Sequence, residues 1–250
     1  MNTSTERHLD ALASFGRRSF GFVRRHKWSL PLATLSALFF LELASELREN
    51  ELHDFDAAIA GLVVRSRGQI DTLMLTLTQF GGWLSMAALT VVAALLFALR
   101  RRPKEAVFLL LSAGGALLLN TALKLFFRRA RPDLEVPYLI DAPSSFSFPS
   151  GHAMGSTGVL LSLLVILHVR VQSRALELFG IGLAALAILG IAASRIYFGV
   201  HYPSDVFGGV LAGAAWVSAV TGWFYPRLLP GEAAASGPPV SNPGPDAGQQ

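Results

Sequence analysis

SRIYFGVHYPSD, residues 194–205, joins two long apolar runs and sets Arg195, His201 and Asp205 between them. Leu178 to Ser194 carries no charge on one side, and Val206 to Pro226 none on the other. Each run is near the ~20 apolar residues that cross a bilayer as a helix. Ionisable groups are costly in a membrane, so those that persist beside the spans mark function by default. Two other stretches repeat the pattern. KLFFRRARP, residues 124–132, follows the uncharged run Ala106 to Leu123. FPSGH, residues 148–152, lies in the uncharged run Ala142 to Val169.

The bulk numbers agree with a membrane chain. Of 250 residues, 52% are hydrophobic and only 15% charged, against roughly a quarter charged in soluble domains. Mean hydropathy is +0.47. With no cysteine, neither a disulfide framework nor a thiolate metal site is possible. The net charge of +4 sits beside apolar runs, which points to anionic lipid head groups rather than nucleic acid.

Working outward, the sequence predicts an all-α fold: a six-transmembrane-helix bundle over residues 28–226, with a short amphipathic surface helix. Residues 1–27 read as a basic cytoplasmic arm, not a signal peptide, because the charged lead is too long and no small-residue cleavage site follows. The first span starts at Trp28. Phe55, Ile59, Leu62 and Val63 recur at helical spacing and place the surface helix within 45–71. A lead-in helix and a second span, broken at Gly81 and Gly82, fill Thr72 to Leu99. The remaining spans are the four apolar runs already named. Residues 227–250, rich in Pro, Gly, Ala and Ser, read as a disordered tail.

Six spans put both termini on one side. Thirteen of the 21 lysines and arginines fall on that side and eight on the other, so the termini are expected in the cytoplasm. All three polar stretches then lie at the extracytoplasmic helix ends.

The chemistry of those stretches is that of an oxyanion site. Lys124, Arg128 and Arg131 are spaced by four and three, which on a helix gives one cationic face, closed by Pro132. Arg128 and Arg129 read as lipid-interface residues outside the site. Ser150 is a good N-cap for a helix opening with Gly151 and His152, whose free backbone N–H groups suit an anion. Asp205 lies four residues after His201. It can hold one imidazole nitrogen and leave the other as a nucleophile. Cations and helix-end amides neutralise phosphoryl oxygens, one histidine attacks, and the other protonates the leaving oxygen. Carboxylates able to hold a metal are scarce, Asp133, Glu135 and Asp141 being confined to a loop. No metal or other cofactor is expected.

K-x6-RP, PSGH and SR-x5-H-x3-D are the three signatures of the type 2 phosphatidic acid phosphatase (lipid phosphate phosphatase) superfamily. This chain resembles a bacterial membrane member, with no departure at a signature position. The resemblance implies a metal-independent phosphatase or diphosphatase acting on membrane lipids of the phosphatidic acid, phosphatidylglycerol phosphate or undecaprenyl diphosphate class. By position, His201 matches the nucleophile that forms a phosphohistidine, Asp205 its orienting carboxylate and His152 the general acid. Lys124, Arg131, Ser150, Gly151 and Arg195 match the phosphate-binding residues. The superfamily also contains soluble vanadate-dependent haloperoxidases, which the six apolar spans argue against. Two further readings are a lipid phosphotransferase using the same phosphohistidine, and a lipid-phosphate binding or transport protein without turnover.

Smaller expectations follow. Asn120, on an apolar face one turn before Lys124, makes an interhelical hydrogen bond. Gly209 and Gly213 pack helices within the chain. Tyr197, Phe198 and Tyr202 suit an interfacial aromatic belt.

Overall fold

The structure, a computed structural model, describes residues 28–49, 51–64, 67–132, 140 and 144–228. Among the described residues every regular element is an α-helix. They are α1 (Ser29–Glu49), α2 (His53–Val64), α3 (Asp71–Phe80), α4 (Trp83–Leu99), α5 (Pro103–Phe127), α6 (Gly151–Arg170), α7 (Arg174–Tyr197) and α8 (Pro203–Leu228). The basic arm 1–27, the tail from 229, and Asp133, Glu135 and Asp141 lie outside the described residues. Helix α8 runs past 226, where the sequence ended the bundle, to Leu228.

Five helices, α1, α5, α6, α7 and α8, are each long and apolar enough to cross a membrane. The expected span from Gly82 is shorter than it looks. Alone, α4 has 17 residues, about 26 Å of helix, against a hydrocarbon core of about 30 Å. It reaches spanning length only together with α3, from which it is bent by 49°. The bend falls at Gly81 and Gly82, where the α3 hydrogen-bond ladder ends and a new one starts.

Helix α6 is the centre of the bundle. It packs against α5, α7 and α8, and α1 lies along α8. Its face toward α8 is small, and α8 answers with two glycines. A Cβ on Gly209 would stand 2.6 Å from the Ser150 carbonyl, and one on Gly213 3.0 Å from the Met154 carbonyl. Backbone is therefore in contact with backbone along this seam, as small residues permit between membrane helices. The outer faces of the long helices carry exposed Leu38, Phe39, Leu95, Leu118 and Leu186, which suits lipid and would not suit water.

Four helix ends meet at one level: the C-termini of α5 and α7 and the N-termini of α6 and α8. Helix α2 lies across them, its Asp56 carboxylate bonded to the start of α8. At the opposite end, buried Glu105 at the start of α5 pairs with Arg170 at the end of α6. Arg170 also donates to the Leu228 carbonyl.

Candidate active site

The sequence places Lys124, Arg128 and Arg131 on one helical face. The structure does not. Helix α5 ends at Phe127, because Arg128 turns into the left-handed region (φ 48°) as its N–H closes on the Lys124 carbonyl at 2.9 Å. Arg128 then bonds its own helix end, at the Leu125 carbonyl. Arg131 reaches the site from the segment after the helix. It is fixed there by the Val200 carbonyl at 2.6 Å and by the Ser145 carbonyl at 2.9 Å. Lys124 Nζ donates to the carbonyls of Phe146 and Ser147.

Ser150 occupies the N-cap position of α6, but its hydroxyl makes no capping bond. Its backbone N–H goes to the Asp205 carbonyl at 2.9 Å. Its Oγ is buried and has no partner among the described residues. Gly151 and His152 follow in the first turn. Asn120, expected to bond another helix, donates instead to the Pro149 carbonyl just before α6, at 3.2 Å, and reaches α6 itself only at the Met154 sulfur, at 3.5 Å. It thereby ties α5 to the segment that opens α6.

Arg195, in the last turn of α7, is 3% exposed and donates to the Thr78 hydroxyl on α3. Its Nε has no partner among the described residues. Gly199 (φ 74°) makes the left-handed turn that carries the chain from α7 to His201. Tyr197 and Phe198 do not form the expected surface belt. Both are 2% exposed and pack with Val200 beneath this turn. The Tyr197 hydroxyl is bonded to Asp71. A belt would leave the turn unsupported, and burial there fixes it.

His201 is held at both ring nitrogens. Nδ1 lies 3.3 Å from Asp205 Oδ2, and Nε2 lies 3.3 Å from Arg131 Nη1. A guanidinium only donates, so Nε2 is the acceptor and the proton sits on Nδ1, facing the carboxylate. Burial pushes His201 from the usual 6.5 down to about 4, the nearby Asp205 offsetting only part of it and the guanidinium groups of Arg131 and Arg195 adding to it. The ring is thus neutral at pH 7. Asp205 is fully buried. Its Oδ2 also accepts from Ser147 Oγ and, at 2.9 Å, from the Tyr202 N–H.

Two residues outside the predicted set belong to this network. Arg129, read from sequence as an interface residue, turns inward. Its Nη1 lies 2.7 Å from Asp205 Oδ1 and its Nη2 2.7 Å from Asp56 Oδ2. Asp56 is 1% exposed. Their signal in the sequence was faint. Asp56 sits three residues before Ile59 and seven before Val63, which puts an acid on the apolar stripe of the surface helix.

Lys124, Arg131, Gly151, His152, Arg195 and His201 all line one pocket of about 910 Å³. Its other walls come from α4, α5 and α6, among them Met86, Val91, Leu110, Leu117 and Val159. One end is cationic and the rest apolar. Four cations (Lys124, Arg129, Arg131 and Arg195) and two carboxylates (Asp56 and Asp205) leave two positive charges before the imidazoles are considered. That balance suits a dianion.

Fold and pocket together define a polytopic helical membrane protein with a cation-lined pocket at one end of its bundle. The PAP2 superfamily model matches residues 105–228. Phosphatidylglycerophosphatase B of Bacillus subtilis is 32% identical over 189 residues, covering 74% of this chain and 91% of that protein. Decaprenylphosphoryl-5-phosphoribose phosphatase of Mycobacterium tuberculosis is 35% identical over 161 residues, covering 62% and 76%. The crystal structure of a transmembrane PAP2 type phosphatidylglycerolphosphate phosphatase from Bacillus subtilis superposes with a TM-score of 0.70 at 30% identity. It covers 77% of this chain and 95% of that one. The chain belongs to the PAP2 superfamily, and it is a multi-pass membrane enzyme of the lipid phosphatase class.

Proposed function

We propose that the protein removes phosphate from a lipid phosphomonoester at the extracytoplasmic face of the membrane, through a phosphohistidine on His201 and without a metal ion. The observation that carries this is the pinned imidazole. Its protonated nitrogen faces Asp205 and its lone pair faces Arg131 at the wall of the pocket.

In the first step Nε2 attacks phosphorus and the bond to the lipid oxygen breaks, with His152 giving that oxygen a proton. In the second, His152 takes a proton from water, whose oxygen attacks phosphorus. The P–N bond breaks, its electron pair returning to Nε2, and inorganic phosphate leaves. Lys124, Arg131 and Arg195 hold the remaining phosphoryl oxygens, with the backbone N–H groups at the start of α6. The orphaned Ser150 Oγ and Arg195 Nε are supporting observations. Buried polar atoms without partners cost about 1–3 kcal/mol each, and a bound phosphate can supply the missing bonds.

The donor set supports metal independence. The two site carboxylates are already engaged, Asp56 by Arg129 and Ser204, and Asp205 by Arg129, Ser147, Tyr202 and His201. The apolar walls suit the lipid part of the substrate. The relatives' names make phosphatidylglycerophosphate the first substrate to test. The lysine and arginine bias supports cytoplasmic termini, with residues 1–27 as a basic arm, the phosphatase domain following and a polar tail at the end.

Purified protein in detergent with EDTA should release inorganic phosphate from phosphatidylglycerophosphate or phosphatidic acid. His201→Ala should abolish release and the acid-labile phosphoenzyme together. An intact rate in His201→Ala, or a rate that EDTA removes and Mg²⁺ restores, would refute the mechanism.

A further inference from the structure

We propose that Asp56 is a positioning residue for this reaction. Through Arg129 and Ser204, the surface helix α2 holds the Asp205 carboxylate in register behind His201. The inference deepens the reading above and rests on it.

Asp56 does not line the pocket. It acts only through what it binds. Oδ1 accepts from the Ser204 N–H at 2.9 Å. Oδ2 accepts from Ser204 Oγ at 2.6 Å and from Arg129 Nη2 at 2.7 Å. The other arm of the Arg129 fork reaches Asp205 Oδ1 and Ser204 Oγ, both at 2.7 Å. The guanidinium plane lies over the Tyr202 ring, 4.0 Å from its centroid. One planar cation is therefore clamped between carboxylates from α2 and α8 and stacked on an aromatic face, a geometry that lysine cannot reproduce. Ser204 and Asp205 are adjacent in the first turn of α8. Fixing both from α2 sets the direction in which Asp205 meets the imidazole.

A buried carboxylate that served packing alone would be replaceable by an apolar side chain. Asp56 instead balances a charge whose other partner is Asp205. His201 is faced by Asp205 from α8, Arg131 from the segment after α5, Arg195 from α7 and His152 from α6. Without Arg129, the Asp205 charge is less neutralised and acts more strongly on His201. The imidazole then takes its proton at higher pH. Removing the Asp56 charge works in the opposite sense. The two substitutions should thus harm turnover alike and move the acid limb of the rate differently.

The test measures phosphate release from dioleoyl phosphatidic acid in dodecyl maltoside micelles, across pH, with the full-length protein. Wild type and His201→Ala run alongside. Asp56→Asn keeps an acceptor for the Ser204 N–H, but loses the charge and turns an amide NH₂ toward Arg129. We expect it to lower kcat about tenfold or more with KM within about threefold, and not to raise the acid limb. Arg129→Gln should lower kcat by at least as much and move the acid limb upward. The double variant should be no slower than Arg129→Gln alone, because both act through one unit. Arg129→Lys should recover part of kcat. Should Arg129→Gln aggregate on gel filtration, Asp56→Asn and Arg129→Lys decide the matter by their kcat and acid limbs. Wild-type kcat in Asp56→Asn, a loss confined to KM, or multiplicative losses in the double variant would overturn the inference while leaving the His201 mechanism intact. An inactive wild type, or an active His201→Ala, would overturn the mechanism itself.

Discussion

Replacing Asp205 by Asn removes one charge and almost no volume from the most connected carboxylate among the described residues. In the proposed reaction the imidazole gains positive charge as Nε2 attacks phosphorus. Asp205 Oδ2 stands 3.3 Å from Nδ1. At that distance, with an effective dielectric near 20, a full charge stabilises the growing cation by about 5 kcal/mol. An amide oxygen retains about 1 kcal/mol as a neutral hydrogen bond. The difference, about 4 kcal/mol, is about a thousandfold in kcat. Among the described residues Oδ2 accepts from three donors and Oδ1 only from Arg129, so the amide NH₂ must turn toward the guanidinium. That costs stability, which a thermal melt in detergent reports separately. The assay is diacylglycerol release from phosphatidic acid, with inorganic phosphate as competitive inhibitor. In the proposed site phosphate is held by Lys124, Arg131 and Arg195 and forms no bond to Nε2, so its Ki should stay within about fivefold while kcat collapses. A kcat within tenfold of wild type, or a loss that appears mainly in KM and Ki, would refute the orienting role.

Two further outcomes follow from the geometry. His201 is held near 4 rather than 6.5, so between those values the unfolded chain binds a proton that the folded one does not. Stability should therefore rise by about 3 kcal/mol as pH climbs from 4 to 6.5 and then level off; thermal unfolding of wild type and His201→Asn should diverge over that window, and parallel curves would contradict it. Gly155 lines the pocket, and a Cβ placed there meets nothing within 4 Å, so Gly155→Leu should fill the groove without pressing on the bundle. Hydrolysis of the lipid substrate should then fall at least tenfold through KM, while p-nitrophenyl phosphate is cleaved nearly as before; equal losses on both would show that the groove does not hold the chain.

The spans and the three signature stretches were legible because charge inside an apolar sequence is rare and each cluster abuts a run of spanning length. His201, Asp205, His152, Arg195, Lys124 and Arg131 stand out in the sequence for that reason, and the structure brings them together at one end of the bundle. Geometry between clusters was not legible. A spacing of four and three implies one helical face only if the helix continues, and Arg128 ends it by turning left-handed. Arg129 looked like a snorkelling residue because its partners lie 73 and 76 residues away. Asp56 was hidden in a helix read only for its apolar stripe. The aromatic residues after Arg195 were assigned to the interface by type, whereas their burial depends on how α7 meets the following turn. Local pattern specifies the elements, and the pairing of buried charges emerges only when the elements are assembled.

The shape of the pocket has a consequence for what becomes of the reaction products. Its cationic end and its apolar walls belong to one cavity, so the proposed cleavage, at their junction, would part the fragments by solubility as it occurs. The dephosphorylated alcohol would stay against the oily walls, while orthophosphate would be released from the charged end. Each product would then inhibit from its own side, and turnover could be slowed independently by loading the bilayer or by loading the buffer.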